Sequence, residues 1–369
     1  MPQVQAPPPG FFADTEIVGR EDHLRLHLNE NPYGPPPGTI DAVRAEAASY
    51  LNRYPDSECG ELRGRLAGHF GVTPDMVAVG NGTDELVLVT SMAFLREPGA
   101  SVVTTATTFP GYVVSAAAVG ARAHTVPLNG ASIPVDGVVA EMERGAELAF
   151  VCNPLNPTGA VLDRAAVSEL IDAAERSGTV LVFDEAYMDF AGPAHEFALD
   201  AVREGRRVLV TRTFSKAWGL ASVRMGFVIG PQDLVQRINS VAAALPFNVN
   251  RPAQRAVLRA LEQPEHIDQV RADNARAREL LCKSLDNLDI EYAPSVSNFV
   301  MVKVPGAPGE GAAPGDSVGF AARLAAEHRI FVRNLDVLGL PGYLRISVGT
   351  VDEVERLSTA LAALLGHQS

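Results

Sequence analysis

In Val180-Leu-Val-Phe-Asp-Glu-Ala-Tyr187, four apolar residues run without alternation into an acidic pair. With Thr179 in front of it, such a run predicts a strand over 179–183 that is covered on both faces, as in the parallel sheets of α/β proteins. Asp184 then stands at the C-terminal edge of the strand, where open α/β sheets bind ligands. A carboxylate there needs a partner, because an unpaired buried charge is costly. An internal salt bridge or helix cap and a ligand-binding role are both open at this point.

The pattern continues on both sides of this run. Met76–Val79, Ser101–Thr105, Ala121–Val126 and Leu148–Cys152 read as strands before it, and Arg207–Thr213 and Val223–Ile229 as strands after it. Asp84–Leu95, Gly111–Val119 and Asp163–Ser177 read as helices between them, the last stopped by Gly178. This alternation, with short connections from about residue 60 to 230, predicts an α/β fold with a doubly wound, mostly parallel sheet. Beyond it, Pro264–Leu288 reads as one long charged helix, Asn298–Val304 as a strand and Val318–Glu327 as a helix. Tyr343–Val348 and the amphipathic Val351–Leu365 close a smaller α/β unit. The segment from Pro305 to Asp316 is rich in Pro and Gly and is expected to be a mobile loop within that unit.

The chain has 369 residues, 47% hydrophobic and 20% charged, a balance that suits two compact domains and excludes wholesale disorder. Its 31 Lys and Arg against 44 Asp and Glu give a net charge of −13, which disfavours nucleic acid as a partner. Cys59, Cys152 and Cys282 are too far apart for a CxxC metal knuckle, and no His-Glu-x-x-His pattern occurs, so no metal is expected. No apolar run approaches the roughly 18 residues of a membrane helix, and the Pro-rich start has no signal-peptide pattern. A cytoplasmic protein without a membrane partner is the expectation.

Three segments carry chemistry. Gly80-Asn-Gly-Thr-Asp-Glu85 leaves a strand and opens a helix, a place where backbone N–H groups receive phosphate. A dinucleotide fingerprint is the rival reading, but Glu85 occupies the position of its third glycine, and Thr104-Thr105 end the next strand without a ribose-binding acid. A turn with an Asp cap is the plain alternative. Asn153-Pro-Leu-Asn-Pro-Thr-Gly159 leaves the strand that precedes the Asp184 strand. Lys216, in Thr211-Arg-Thr-Phe-Ser-Lys-Ala-Trp-Gly-Leu220, follows an apolar strand among small and aromatic residues. Desolvation there would lower the amine pKa and make it a nucleophile toward a carbonyl, whereas a solvated surface lysine is the ordinary alternative. Thr213, Ser215 and Arg224 around it have the makings of the second half of a phosphate cup. Trp218 and Cys152 read as packing residues.

In this order and spacing, Asn-Pro-x-Asn-Pro-Thr-Gly, Asp-Glu-Ala-Tyr and Thr-x-Ser-Lys-Ala-x-Gly-Leu-Ala-x-x-Arg-x-Gly resemble the fold type I, class II pyridoxal-phosphate-dependent aminotransferases. Leu28-Asn-Glu-Asn-Pro-Tyr-Gly34, Leu51-Asn-Arg-Tyr-Pro-Asp56 and Gly342-Tyr-Leu-Arg-Ile-Ser-Val-Gly349 narrow the resemblance, which covers most of the chain, to the histidinol-phosphate aminotransferase family. It implies pyridoxal 5'-phosphate as cofactor. Lys216 would hold it as a Schiff base and later move the substrate proton, Asp184 would pair with the pyridinium nitrogen, and Asn156 and Tyr187 would hydrogen-bond the 3-oxygen. Phe109, where the family usually has Tyr, would stack on the ring. Gly82, the N–H groups of Thr83 and Asp84, the hydroxyls of Thr213 and Ser215, and Arg224 would hold the phosphate. Tyr54 would reach that phosphate from the neighbouring subunit of a homodimer.

The same resemblance has Asn156, Arg333 and Arg345 facing the substrate, with Arg333 and Arg345 at its anionic end. It divides the chain into an N-terminal tail and arm (1–37) joining the small domain, a large cofactor-binding domain (38–260) and a small C-terminal domain (261–369). The implied reaction passes an amino group between a small-molecule donor and a 2-oxo acid, histidinol phosphate with 2-oxoglutarate, in the amino-acid biosynthesis of histidine. The family often carries an N-terminal Pro-Tyr whose hydroxyl reaches the substrate phosphate, and here that stretch has Phe11 and Phe12. An aromatic or other 2-oxo acid or a specialised metabolite is therefore the alternative, and a related decarboxylase would share every cofactor residue.

Overall fold

The computed structural model describes residues 22–306 and 314–366. The described chain opens on β1 (Leu24–Leu26), which stands apart from the large sheet that follows it. That sheet is laid down by β2 (Val77–Gly80), β3 (Ser101–Thr105), β4 (Arg122–Val126), β5 (Leu148–Cys152), β6 (Val180–Asp184), β7 (Val208–Thr213) and β8 (Gly226–Ile229). Their order is β2-β8-β7-β6-β5-β3-β4. Only β8 runs against its neighbours, so the sheet is mostly parallel, as expected. Every residue of β5 and β3 is buried, which is why these strands read as unbroken apolar or small runs. The helix Arg164–Ser177 shows the local rules at work. The Asp163 side chain accepts the Ala166 N–H at 2.8 Å, Val167, Leu170, Ile171 and Ala174 face the sheet, and Gly178 ends the helix at φ 77.

The strand expected over 223–229 begins only at Gly226. Ala221–Val223 form a single tight turn and Arg224 takes a left-handed φ of 56, a conformation that breaks the ladder and turns the guanidinium back toward the sheet edge. The chain reverses its winding between β3 and β5, since β4 lies outside β3 and β5 to β7 lie on its other side. The loops leaving β3, β5, β6 and β7 therefore surround a crevice at the switch point, the general ligand position of such sheets.

The second unit has its own core and sheet. β9 (Phe299–Lys303), β10 (Ile330–Asn334) and β11 (Tyr343–Ser347) combine with β1 in the order β1-β10-β11-β9. The N-terminal strand pairs in parallel with β10, Leu24 opposite Ile330, so the two ends of the chain build one sheet. The helices Glu265–Asn287 and Val351–Leu364 cover it, the latter started by a capping box between Thr350 and Glu353. Residues 307–313 of the Pro/Gly segment and the N-terminal stretch with Phe11 and Phe12 lie outside the described residues.

Residues 28–35 cross from the small sheet over the loop that carries Lys216. A Cβ on Gly219 (φ 66) would lie 2.5 Å from the backbone of Gly34. Gly219→Ala is therefore expected to lose more than about 2 kcal/mol of stability, through backbone clash added to an unfavourable φ. Gly120→Ala, at φ 79 but facing open space, is expected to lose only about 1 kcal/mol. Urea denaturation of both variants measures the difference.

Candidate active site

The crevice holds a cavity of about 230 Å³ lined by residues from both units. β6 delivers Asp184 to its floor, 4% exposed. Tyr112 Oη donates to Asp184 Oδ2 at 2.6 Å and the Ala186 N–H to Oδ1 at 3.1 Å. Burial nevertheless pushes the carboxyl up to about 6, the two hydrogen bonds opposing it. The Tyr112 ring is itself immobilised by stacking on Phe150, with centroids 4.8 Å apart. Behind Asp184, Arg212 on β7 binds Glu185 (2.7 Å), Asp189 (3.3 Å) and Glu196 (2.9 Å), fixing the turn after β6 to the adjacent strand.

Lys216 follows β7. Its Nζ donates to the Leu28 carbonyl at 3.1 Å, and burial foremost, with help from the nearby Arg345 charge, lowers the amine to about 8. Such an amine is partly neutral near physiological pH and available as a nucleophile or base. Tyr187, 6% exposed, stands beside it with its ring edge on Phe299. Asn156 Oδ1 accepts from Arg345 Nη1 at 2.6 Å, which leaves the Asn156 NH₂ group to donate elsewhere. Arg345 Nη2 binds the His27 carbonyl at 2.8 Å, while its Nε is buried without a partner. Arg333 and Arg345 are direct partners across β10 and β11, so both side chains come from one face of the small sheet and line the cavity together. Burial, with the neighbouring Arg333 charge, lowers Arg345 to about 10.

At the other end the helix Thr83–Phe94 begins directly after Gly82. Thr83 Oγ1 is buried without a partner, and Arg224 reaches Ser215 Oγ (3.4 Å) and Asp84 Oδ2 (2.6 Å). A Cβ on Gly82 would lie 2.6 Å from the Arg224 guanidinium, so only glycine lets that cation lie against the helix start. Helix N–H groups, two hydroxyls (Thr83, Ser215) and a guanidinium are a donor set that could hold a phosphate dianion. Thr213 also lines the cavity, its Oγ1 accepting the Ser215 N–H at 3.1 Å. Phe109 lines the wall, edge to face with Tyr112.

Of the residues singled out from the sequence, Thr83, Asp84, Phe109, Asn156, Asp184, Tyr187, Thr213, Ser215, Lys216, Arg224, Arg333 and Arg345 line this cavity, and Gly82 adjoins it. Tyr54 does not. It lies on the surface, 78% exposed, stacked on Phe247. Sequence reasoning gave no role to Tyr112, Asn29 or Leu338. The first touches Asp184, and the other two line the cavity. Among the described residues no cluster of His, Cys, Asp or Glu is placed to hold a metal, and no helix is long and apolar enough to cross a membrane.

Fold and site together define a class. The chain belongs to the aminotransferase class I and II family, whose sequence model matches residues 21–361. A histidinol-phosphate aminotransferase of Moorella thermoacetica is 32% identical over 350 residues, 94% of this chain and 87% of that protein. Histidinol-phosphate aminotransferase 2 of Ralstonia nicotianae is 35% identical over 345 residues, 93% of this chain and 89% of that protein. The crystal structure of histidinol-phosphate aminotransferase from Sinorhizobium meliloti in complex with pyridoxal-5'-phosphate superposes with a TM-score of 0.82 at 28% identity, covering 95% of this chain and 94% of that one.

The raised Asp184 pKa has a consequence for stability. The folded chain holds this proton more tightly than the unfolded one, whose carboxyl titrates near 3.8, so this group's contribution to stability is fully present below that pH and is lost as pH rises through about 6. Asp184→Asn removes the charge and is expected to stabilise the cofactor-free protein at pH 8 by up to about 3 kcal/mol. The gain should close as pH falls from 6 to 4. Urea denaturation at several pH values checks this.

Proposed function

We propose that this chain is a pyridoxal 5'-phosphate-dependent aminotransferase that transfers the amino group of histidinol phosphate to 2-oxoglutarate in histidine biosynthesis. The observation that carries the reading is the convergence in one cavity of an amine lowered to about 8, a buried carboxylate and two arginines. The donor set suits the cofactor at each of its groups. The unpartnered Thr83 hydroxyl, the helix start, Ser215 and Arg224 match a phosphate, Asp184 matches a protonated ring nitrogen, and Lys216 matches a carbonyl. Relatives named histidinol-phosphate aminotransferase, and a solved one with pyridoxal-5'-phosphate bound, support the same assignment.

When bound, the cofactor supplies an electron sink for the Cα–H bond of an amino substrate. The chain supplies the rest. Lys216 Nζ would take the proton from the substrate Cα and deliver it to the cofactor carbon that had carried the carbonyl. Asp184 would keep the ring nitrogen protonated, and the Tyr187 hydroxyl and the free Asn156 NH₂ group would donate to the 3-oxygen. Phe109 would lie against the ring, while Arg345 and Arg333 would bind the anionic end of either substrate. We read residues 38–260 as the large domain and 261–369, joined by the arm up to residue 37, as the small one. The exposed apolar group of Tyr50, Leu51, Tyr54, Leu245 and Phe247 supports a homodimer in which Tyr54 reaches the partner's phosphate site, and a cytoplasmic location accords with this chemistry.

Lys216→Ala is expected to abolish the near-visible band of covalently held cofactor; an unchanged spectrum would refute the assignment. Histidinol phosphate should exceed phenylalanine as amino donor by at least about 100-fold in kcat/KM, since an apolar side chain offers the two arginines none of the charge-assisted hydrogen bonds that a dianion makes. Parity or the reverse order would overturn the substrate. Tyr54→Phe is expected to weaken cofactor binding roughly tenfold, and equilibrium titration with sedimentation of the same samples tests both the contact and the dimer.

A further inference from the structure

Asn29 is 1% exposed and takes a left-handed φ of 55, unusual for a residue with a side chain. It stands where the arm leaves the small sheet and enters the cavity. Its backbone N–H donates to Ser347 Oγ on β11 at 2.8 Å, and Asn298 Nδ2 donates to its carbonyl at 3.1 Å. Ser347 Oγ, having accepted that N–H, has its own proton to give, and it lies 3.0 Å from Asn29 Oδ1. This fixes the amide orientation, with Oδ1 toward Ser347 and Nδ2 toward Tyr187 Oη at 3.1 Å. The Tyr187 oxygen is thus an acceptor from Asn29, and its hydroxyl proton is directed to another acceptor. The neighbouring carbonyl, Leu28, holds Lys216 Nζ.

We infer that Asn29 is a positioning residue: its amide turns the Tyr187 hydroxyl proton into the cavity as a donor and makes that orientation depend on the small sheet. This rests on reading the cavity as the cofactor site. Tyr187 comes from the large sheet, whereas Ser347, Asn298 and Phe299, against which the Tyr187 ring lies, come from the small one, so Asn29 joins the two through one side chain. A hydrogen bond donated to the phenol oxygen polarises its O–H and strengthens it as a donor. Burial raises the Tyr187 phenol to about 12, and the Asn29 bond acts in the opposite sense. The other charged or titratable groups facing the phenol are Arg345 on β11, Cys152 on β5, Asp184 on β6 and Lys216.

The test uses the full chain loaded with pyridoxal 5'-phosphate and reads the pH midpoint of its near-visible absorbance change together with the cofactor dissociation constant. Asn29→Gly removes the amide while suiting the left-handed backbone. It is expected to raise the midpoint by roughly half a pH unit, about a threefold change in proton affinity, because the Tyr187 hydroxyl is no longer polarised and held as a donor to the 3-oxygen. In a Tyr187→Phe background the same change should move the midpoint by less than about 0.1 unit, since the two act through one hydroxyl. Asn29→Asp, which replaces a donor with an acceptor and turns the phenol proton away from the cavity, is expected to shift it further than Gly. An unmoved midpoint in Asn29→Gly, an equal shift in the Tyr187→Phe background, or an Asp variant that matches the parent overturns the inference alone. No near-visible band in the parent protein overturns the cofactor reading and this inference with it.

Discussion

The carboxylate of Asp184 is the constraint around which the rest is arranged. It sits buried at the end of a strand, and neither the Tyr112 hydroxyl nor the Ala186 N–H carries a full positive charge. The chain by itself therefore leaves an anion only partly compensated, which is why its proton affinity rises. A cationic ring nitrogen placed against it would complete the site, and the energy stored in the incomplete arrangement becomes binding energy for the cofactor. Residues that destabilise a fold in this way are typical of active sites, where function and stability are in tension.

The surroundings of Asp184 extend that logic outward. Arg212, buried among Glu185, Asp189 and Glu196, is a cation compensated within the protein. Thr213 follows Arg212 and Asp184 precedes Glu185, so this ion cluster sets the separation of the β6 and β7 ends from beneath. From above, the segment 28–35 lies on the lysine loop, close enough that Gly219 admits no side chain. An acidic chain of net charge −13 thereby gathers Lys216, Arg224, Arg333 and Arg345 round one cavity, and local charge, not the global sum, decides what binds there.

The elements that were legible are those whose burial is regular. β3, β5 and β6 are covered on both faces and carry unbroken apolar or small residues, and the helix Arg164–Ser177 has a cap, a stripe and a terminal glycine. The helix Thr39–Tyr50 lacks such a signature. Only Thr39 and Glu46 of its residues are buried, Glu46 as the partner of Arg251 at 2.6 Å, and Ile40 and Tyr50 remain exposed. A helix held by an ion pair and one half-covered face leaves little periodic trace. The strand after Arg224 begins at Gly226, three residues later than the composition predicts, because a left-handed arginine has no local signal in its sequence.

Sequence alone determined the α/β class and, from local composition at strand ends, placed Asp184, Lys216, Thr213, Ser215 and Arg224 at the cavity; the resemblance of its motifs added Phe109, Asn156, Tyr187, Arg333 and Arg345. Tertiary structure decided which groups act on them. Tyr112 meets Asp184 across 72 residues, Asn29 meets Tyr187 across 158, and Arg333 comes to lie beside Arg345 through strand pairing. It also left Tyr54 on the outer surface of the subunit. Contacts of this kind depend on how helices and sheets stack, and stacking is fixed by the volume and shape of the whole core, which no short stretch of residues encodes.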